Sequence, residues 1–174
     1  DKTQWRTGTS QGLAWESTRA DGPGALAAVR ATMGAVAEGD EEKGRVEQLA
    51  AWEGDYPLGS INATVFNQFL YELAFAAMHD ELGDAWFPVL ISTRAIDAAL
   101  PRLAADADSP WWNTRGASQP TDRTGVVRVA WQQTVQHPRK ALGDDPARWQ
   151  WGKAQTLTHN IRRASRRDRV ESLS

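Results

Sequence analysis

One stretch limits the architecture more than any other: residues 61–82 run without a glycine or a proline. Ile61, Val65, Phe69 and Leu73 recur every four residues and share a helix face, with Phe66 and Leu70 beside them. Phe75 and Met78 fall off that stripe, so more than one face is apolar. A helix of this kind is stable in water only among neighbours that cover it. Ser60 is placed to cap its start and Gly83 to end it.

The flanking sequence supplies candidate neighbours. Asp21-Gly-Pro-Gly is a turn, after which Leu26, Val29, Met33 and Val36 mark a helix over 25–38 ended by Gly39. Asp40 reads as an N-cap with Glu41 and Glu42 in the first turn, where the helix dipole favours them. Val46, Leu49, Ala50 and Trp52 would form the buried face of this short helix, closed by Gly54. Beyond Gly83 a helical stretch over 87–105 is expected to be interrupted at Pro88 and kinked or broken at Pro101. Residues 106–120 form a loop carrying Ser109-Pro-Trp-Trp-Asn113. Thr121 can cap a last helix that aligns Val127, Trp131 and Val135 and ends at Pro138. Trp149-Gln-Trp-Gly152 reads as an extended segment with both indoles on one face, and Gly152 permits close approach of another backbone. The fold class is therefore mainly α for the isolated chain. It divides into an irregular lead-in at 1–20, a helical body at 21–158 and a basic, disordered tail at 159–174.

Charge excludes little. The formal net charge of −2 gives no global reason to expect a nucleic acid or an anionic membrane as partner. It conceals an asymmetry: residues 161–174 hold five arginines against Asp168 and Glu171, a net of +3, which leaves −5 for residues 1–160. The basic end reads as a solvated tail, with a phosphate-binding arm as the sharper alternative; it lacks the interleaved aromatics of a single-strand binder. No cysteine is present, so disulfides and thiolate chemistry are excluded. No run approaches the roughly 18 apolar residues of a membrane span. The first five residues hold no apolar signal core, so any export signal would lie outside this sequence.

No complete catalytic constellation is present. His79, His137 and His159 share no metal-ligand spacing, and His79 beside Asp80 and Glu81 reads as a cation at a helix end. Gly8-Thr-Ser10-Gln-Gly12 has the spacing of a Gly-x-Ser-x-Gly elbow but stands in the irregular lead-in, not between a strand and a helix, and no glycine-rich phosphate loop occurs. Asp106, Asp108, Asp144 and Asp145 fit no calcium loop and read as turn residues. Nine tryptophans point to core and interface packing before they point to a ligand groove. No catalytic, cofactor-binding or metal-binding residue is assigned from these patterns.

Four segments occur in an informative order: Leu49-Ala-Ala-Trp-Glu-Gly54, Ser60-Ile-Asn-Ala-Thr-Val-Phe66, Ser109-Pro-Trp-Trp112 and Leu142-Gly-Asp-Asp-Pro-Ala-Arg-Trp-Gln-Trp-Gly152. The series resembles part of the β-chain of the penicillin acylase family, with its aculeacin and acyl-homoserine-lactone acylase branches, over about residues 45–158. The resemblance implies the helical part of an α+β N-terminal-nucleophile hydrolase. Such enzymes cleave amide bonds in acylated small molecules of β-lactam, lipopeptide or acyl-homoserine-lactone type. A serine at the start of the β-chain attacks the carbonyl, with its own α-amino group as the base. The resemblance also implies a periplasmic or secreted setting.

The catalytic parts implied by the resemblance do not map onto this chain. It starts with Asp1, and Ser10 or Ser17 could be a mature terminus only after processing. Asn62, Asn67, Asn113 and Asn160 do not match the family's oxyanion motif, and its calcium ligands lie outside the matching region. Gln155 stands where the family usually has histidine, and the chain after Thr158 departs from the family's return to strands. The expected partner is the remainder of the acylase, with the acyl substrate bound by the whole enzyme. Alone, the chain is expected to be inactive and to self-associate through apolar faces of helices 61–82 and 121–137. The competing reading is a free-standing helical module that binds a partner through a tryptophan-rich surface or the arginine-rich end.

Overall fold

The computed structural model describes residues 22–37, 39–93 and 95–154. Five α-helices follow in chain order: α1 Gly22–Gly34, α2 Gly39–Ala51, α3 Ile61–Ser92, α4 Ala95–Ala105 and α5 Arg123–Leu142. Single 3-10 turns stand at Pro110–Trp112 and Pro146–Arg148, and no strand occurs among the described residues. The mainly α class is what the sequence implies. No helix among the described residues is long and apolar enough to cross a membrane.

Helix α3 is the axis of the assembly. Ser60 caps it, its hydroxyl accepting the Ala63 N–H at 3.1 Å. Val65, Phe66, Phe69, Leu70, Leu73 and Met78 are all buried, as their spacing predicts. Gly83, at φ 63 and ψ −177, interrupts the helix inside its span, so residues 61–82 behave as one rod and the rest as another. Only glycine adopts that conformation without strain. Against α3 packs chiefly α5; α4 also contacts it, and α1 bridges α2, α4 and α5. Trp131 of α5 meets Phe69 of α3 edge-on with ring centroids 6.0 Å apart. Arg123 donates to the Ala104 carbonyl at 3.2 Å, placing a cation at the end of α4.

Several boundaries differ from expectation. Asp40 lies in the first turn of α2, not at its cap, and Ala50 is exposed. Helix α3 runs through Pro88, α4 through Pro101 and α5 through Pro138; the break falls at Thr93 and the last stop at Gly143. Each proline removes one N–H at a cost of about 3 kcal/mol in an exposed helix interior. At Pro101 and Pro138 tertiary burial offsets that cost: Leu100 and Leu103 flank Pro101, and Pro138 is itself buried; Pro88 is exposed and stands five residues after the Gly83 interruption. Asp122, not Thr121, caps α5, its carboxylate accepting the Gly125 N–H at 2.7 Å. Thr121 instead ties the preceding loop together. Its hydroxyl donates to the Trp112 carbonyl and accepts the Thr114 N–H, both at 2.6 Å.

The segment after α5 is not extended either. Trp149 closes a 3-10 turn capped by Asp145, and a helical turn begins at Trp151. Asp145 accepts the Ala147 N–H at 3.0 Å, and this local capping favours a helical turn over a strand despite the period-two indoles. The expected lead-in at 1–20 and the tail at 159–174 lie outside the described residues, as do Trp5, Trp15, Gln155 and His159.

Candidate functional site

Two constructions bear on function: an aromatic frame and a groove. The frame starts at Trp52, whose indole N–H reaches the Asp55 carboxylate at 2.7 Å. Its ring lies 5.5 Å from Phe66 and 5.4 Å from Tyr56, and Tyr56 lies 5.5 Å from Trp151. The Trp151 N–H then donates to the Ser60 carbonyl at 3.1 Å. Trp149 is fully buried, donates to the Gly143 carbonyl at 2.8 Å and lies under the Arg45 guanidinium at 5.1 Å. On the other side of Trp52, Arg30 sits 5.8 Å over the ring and donates to the Trp52 carbonyl. Burial pushes the Arg30 guanidinium below its ordinary value, and Tyr56 opposes the shift. Segments distant in sequence thus close on each other through indoles that all carry a packing role.

The groove runs between α3 and α5 and holds about 820 Å³. Ala76, Val126 and Ala130 give it an apolar floor, and Phe75 and Val129 remain exposed beside it. At one end the Glu72 carboxylate, 4% exposed, accepts from Gln68 at 2.6 Å and from His137 at 2.5 Å. At the other end Asp80 accepts the Arg115 backbone N–H, and the Arg115 guanidinium pairs with Glu81. Asp80 Oδ1 is buried and accepts no hydrogen bond among the described residues. His79 stacks on Phe75 at 4.2 Å and pairs with Asp84 at 2.9 Å, so it is held at the end of the first rod.

A His–Glu pair resembles half of a base-and-orienter arrangement. No nucleophile among the described residues completes it: Thr134, the buried hydroxyl on the same helix, is committed to the Ala130 carbonyl at 2.7 Å. Glu72 and His137 are better understood as a buried carboxylate supplied with donors, linking α3 to α5. Sequence reasoning missed this contact. The residues lie 65 positions apart, and neither has a distinctive local pattern.

A sequence comparison decides the family. The profile described as Penicillin amidase matches residues 13–170. The chain belongs to the penicillin amidase family. The match is wider than the 45–158 carried by the four segments and extends through Gln155 into the arginine-rich end. Among curated relatives, the acyl-homoserine lactone acylase QuiP of Pseudomonas aeruginosa is 28% identical over 143 residues, 78% of this chain. The QuiP proteins of Pseudomonas fluorescens and Pseudomonas putida are 26% and 28% identical, each over 140 residues and 76% of this chain. The chain spans about 17% of the length of these relatives and so matches one segment of them. No solved structure matches.

Within this penicillin amidase segment, the described asparagines that fail to match the family's oxyanion motif have structural roles. Asn62 donates to the Gln48 carbonyl at 3.4 Å and Asn67 to the Ala63 carbonyl at 2.8 Å, both from inside α3. Asn113 closes the Pro110–Trp112 turn. Ser10, Ser17 and Asn160 lie outside the described residues. The calcium that the resemblance implies finds no fitting ligand set among the described residues. Asp106 accepts the Asp108 N–H at 3.1 Å, and Asp145 is a cap. Of the described tryptophans only Trp86 and Trp111 are exposed, so a tryptophan-rich binding surface reduces to those two.

Proposed function

We propose that this chain is the helical scaffold section of an amide-hydrolysing acylase, with residues 21–158 as its helical body. It does not supply the nucleophile. The whole enzyme would release an acyl group from an acylated small molecule, of the kind named in the acyl-homoserine lactone acylase relatives. The observation that carries this reading is the closure of the Trp52, Ser60 and Trp149–Gly152 segments onto one another. Every residue they contribute to the frame caps, packs or hydrogen-bonds, and none is left poised for attack. The stepwise logic of the reaction, in which an activated nucleophile attacks and donors hold the oxyanion, then belongs to other parts of the polypeptide.

Two parallel assays test this. Hydrolysis of a chromogenic acyl amide and of an acyl-homoserine lactone is measured for the whole protein and for residues 1–174 alone. Turnover by the whole and none by the short chain is expected. Turnover by the short chain would overturn the scaffold reading, and none by either would overturn the acylase reading.

A further inference from the structure

The groove between α3 and α5 is an unfinished surface. Phe75, on α3, is 40% exposed and Val129, on α5, 50%, although both stand beside a floor of buried Val126 and Ala130. Among the described residues its lining includes the carboxylates of Glu72 and Asp80 and contains neither lysine nor arginine. Glu72 has its donors, whereas Asp80 keeps one buried oxygen without a partner among the described residues. A buried carboxylate oxygen of that kind is stabilised by a cation or an N–H brought to it. Apolar side chains laid between Phe75 and Val129 would at the same time remove both from water.

We propose that this groove seats a segment with an apolar face and a basic residue, supplied by the rest of the acylase polypeptide, its arginine or lysine directed at Asp80. The proposal rests on the reading of the chain as an acylase section. Relatives in which this chain spans about 17% of the length have ample sequence to supply the occupant. A second copy fits poorly, since a two-fold contact through this surface would set one carboxylate-lined groove against another.

This chain contains no cysteine, so in a Val129→Cys variant of the whole protein the labelled peptide that carries position 129 reports on the groove. Its reaction with a maleimide, read by peptide mass spectrometry, is compared with that of the same variant unfolded in guanidinium. The seated segment is expected to slow labelling at least about tenfold, since protection measures how rarely the site opens. A photoreactive benzoyl-phenylalanine at position 129 is expected to cross-link to a peptide outside residues 1–174 that carries apolar residues and a lysine or arginine. Labelling at close to the unfolded rate would overturn the proposal. So would a cross-link to a second copy, to residues 155–174 or to a peptide without a basic residue. If the purified protein contains no polypeptide beyond this chain, the acylase reading fails as well, and intact mass separates that outcome from the others.

Discussion

Gly152 donates its backbone N–H to the Leu58 carbonyl at 2.8 Å, and Leu58 lies where a side chain on residue 152 would begin. A Cβ there would sit 3.3 Å from Leu58 Cδ2 and 3.4 Å from its carbonyl oxygen. Alanine is expected to be nearly neutral, because a gain of up to about 1 kcal/mol in helix propensity offsets the crowding. Gly152→Val has no such gain and is expected to cost about 1–3 kcal/mol, as overpacking does. Urea unfolding checks both. A neutral valine would mean that the loop before α3 is not clamped by this contact.

Trp131 and Trp149 are equally deep in the core, yet their indole N–H groups differ. Trp131 Nε1 has no partner among the described residues, whereas Trp149 donates to Gly143. Trp149→Phe is therefore expected to cost about 1 kcal/mol more than Trp131→Phe, the net value of one hydrogen bond. The midpoints of denaturant unfolding give the difference. Equal losses would remove the argument from the hydrogen bond.

Two adjacent residues before α5 perform different work. Asp122→Ala should cost about 1 kcal/mol by losing a helix cap, and Ser60→Ala the same at α3. Thr121→Val should cost about 1–3 kcal/mol by leaving the Thr114 N–H and the Trp112 carbonyl unpaired. A neutral Asp122→Ala would return the capping role to Thr121.

His137 supplies one of two donors to a buried carboxylate. His137→Ala is expected to destabilise by about 1–3 kcal/mol, because Glu72 keeps only Gln68 as a donor. Combining it with Glu72→Leu should recover part of the loss, since the unpaired charge is removed too. Strict additivity in thermal unfolding would mean that the two side chains are not coupled.

Much of the fold is legible in the sequence where one residue decides a local event. The Ser60 cap, the Gly83 break and the close approach at Gly152 each follow from one side chain or its absence. Pro101 and Pro138 mislead because proline subtracts only one hydrogen bond, and the burial that offsets it depends on partners elsewhere in the chain. Trp149 and Trp151 mislead because spacing by two fits a strand, while the Asp145 cap fixes a 3-10 turn. The four family-like segments are legible as a series, but their convergence around Trp52 is not. The groove is illegible for the same reason: Glu72 and His137 meet only because α3 and α5 pack side by side. The expectation of apolar faces on helices 61–82 and 121–137 narrows to Phe75 and Val129, since most of the remainder is covered within the chain.

Intact mass spectrometry with N-terminal sequencing of the protein purified from its source, beside an assay of amide hydrolysis, tests the central claim most directly. The account predicts that this sequence lies within a larger acylase, accompanied by a chain terminus at serine outside residues 1–174. Amide hydrolysis by a species of 19.2 kDa with no other polypeptide present would contradict it.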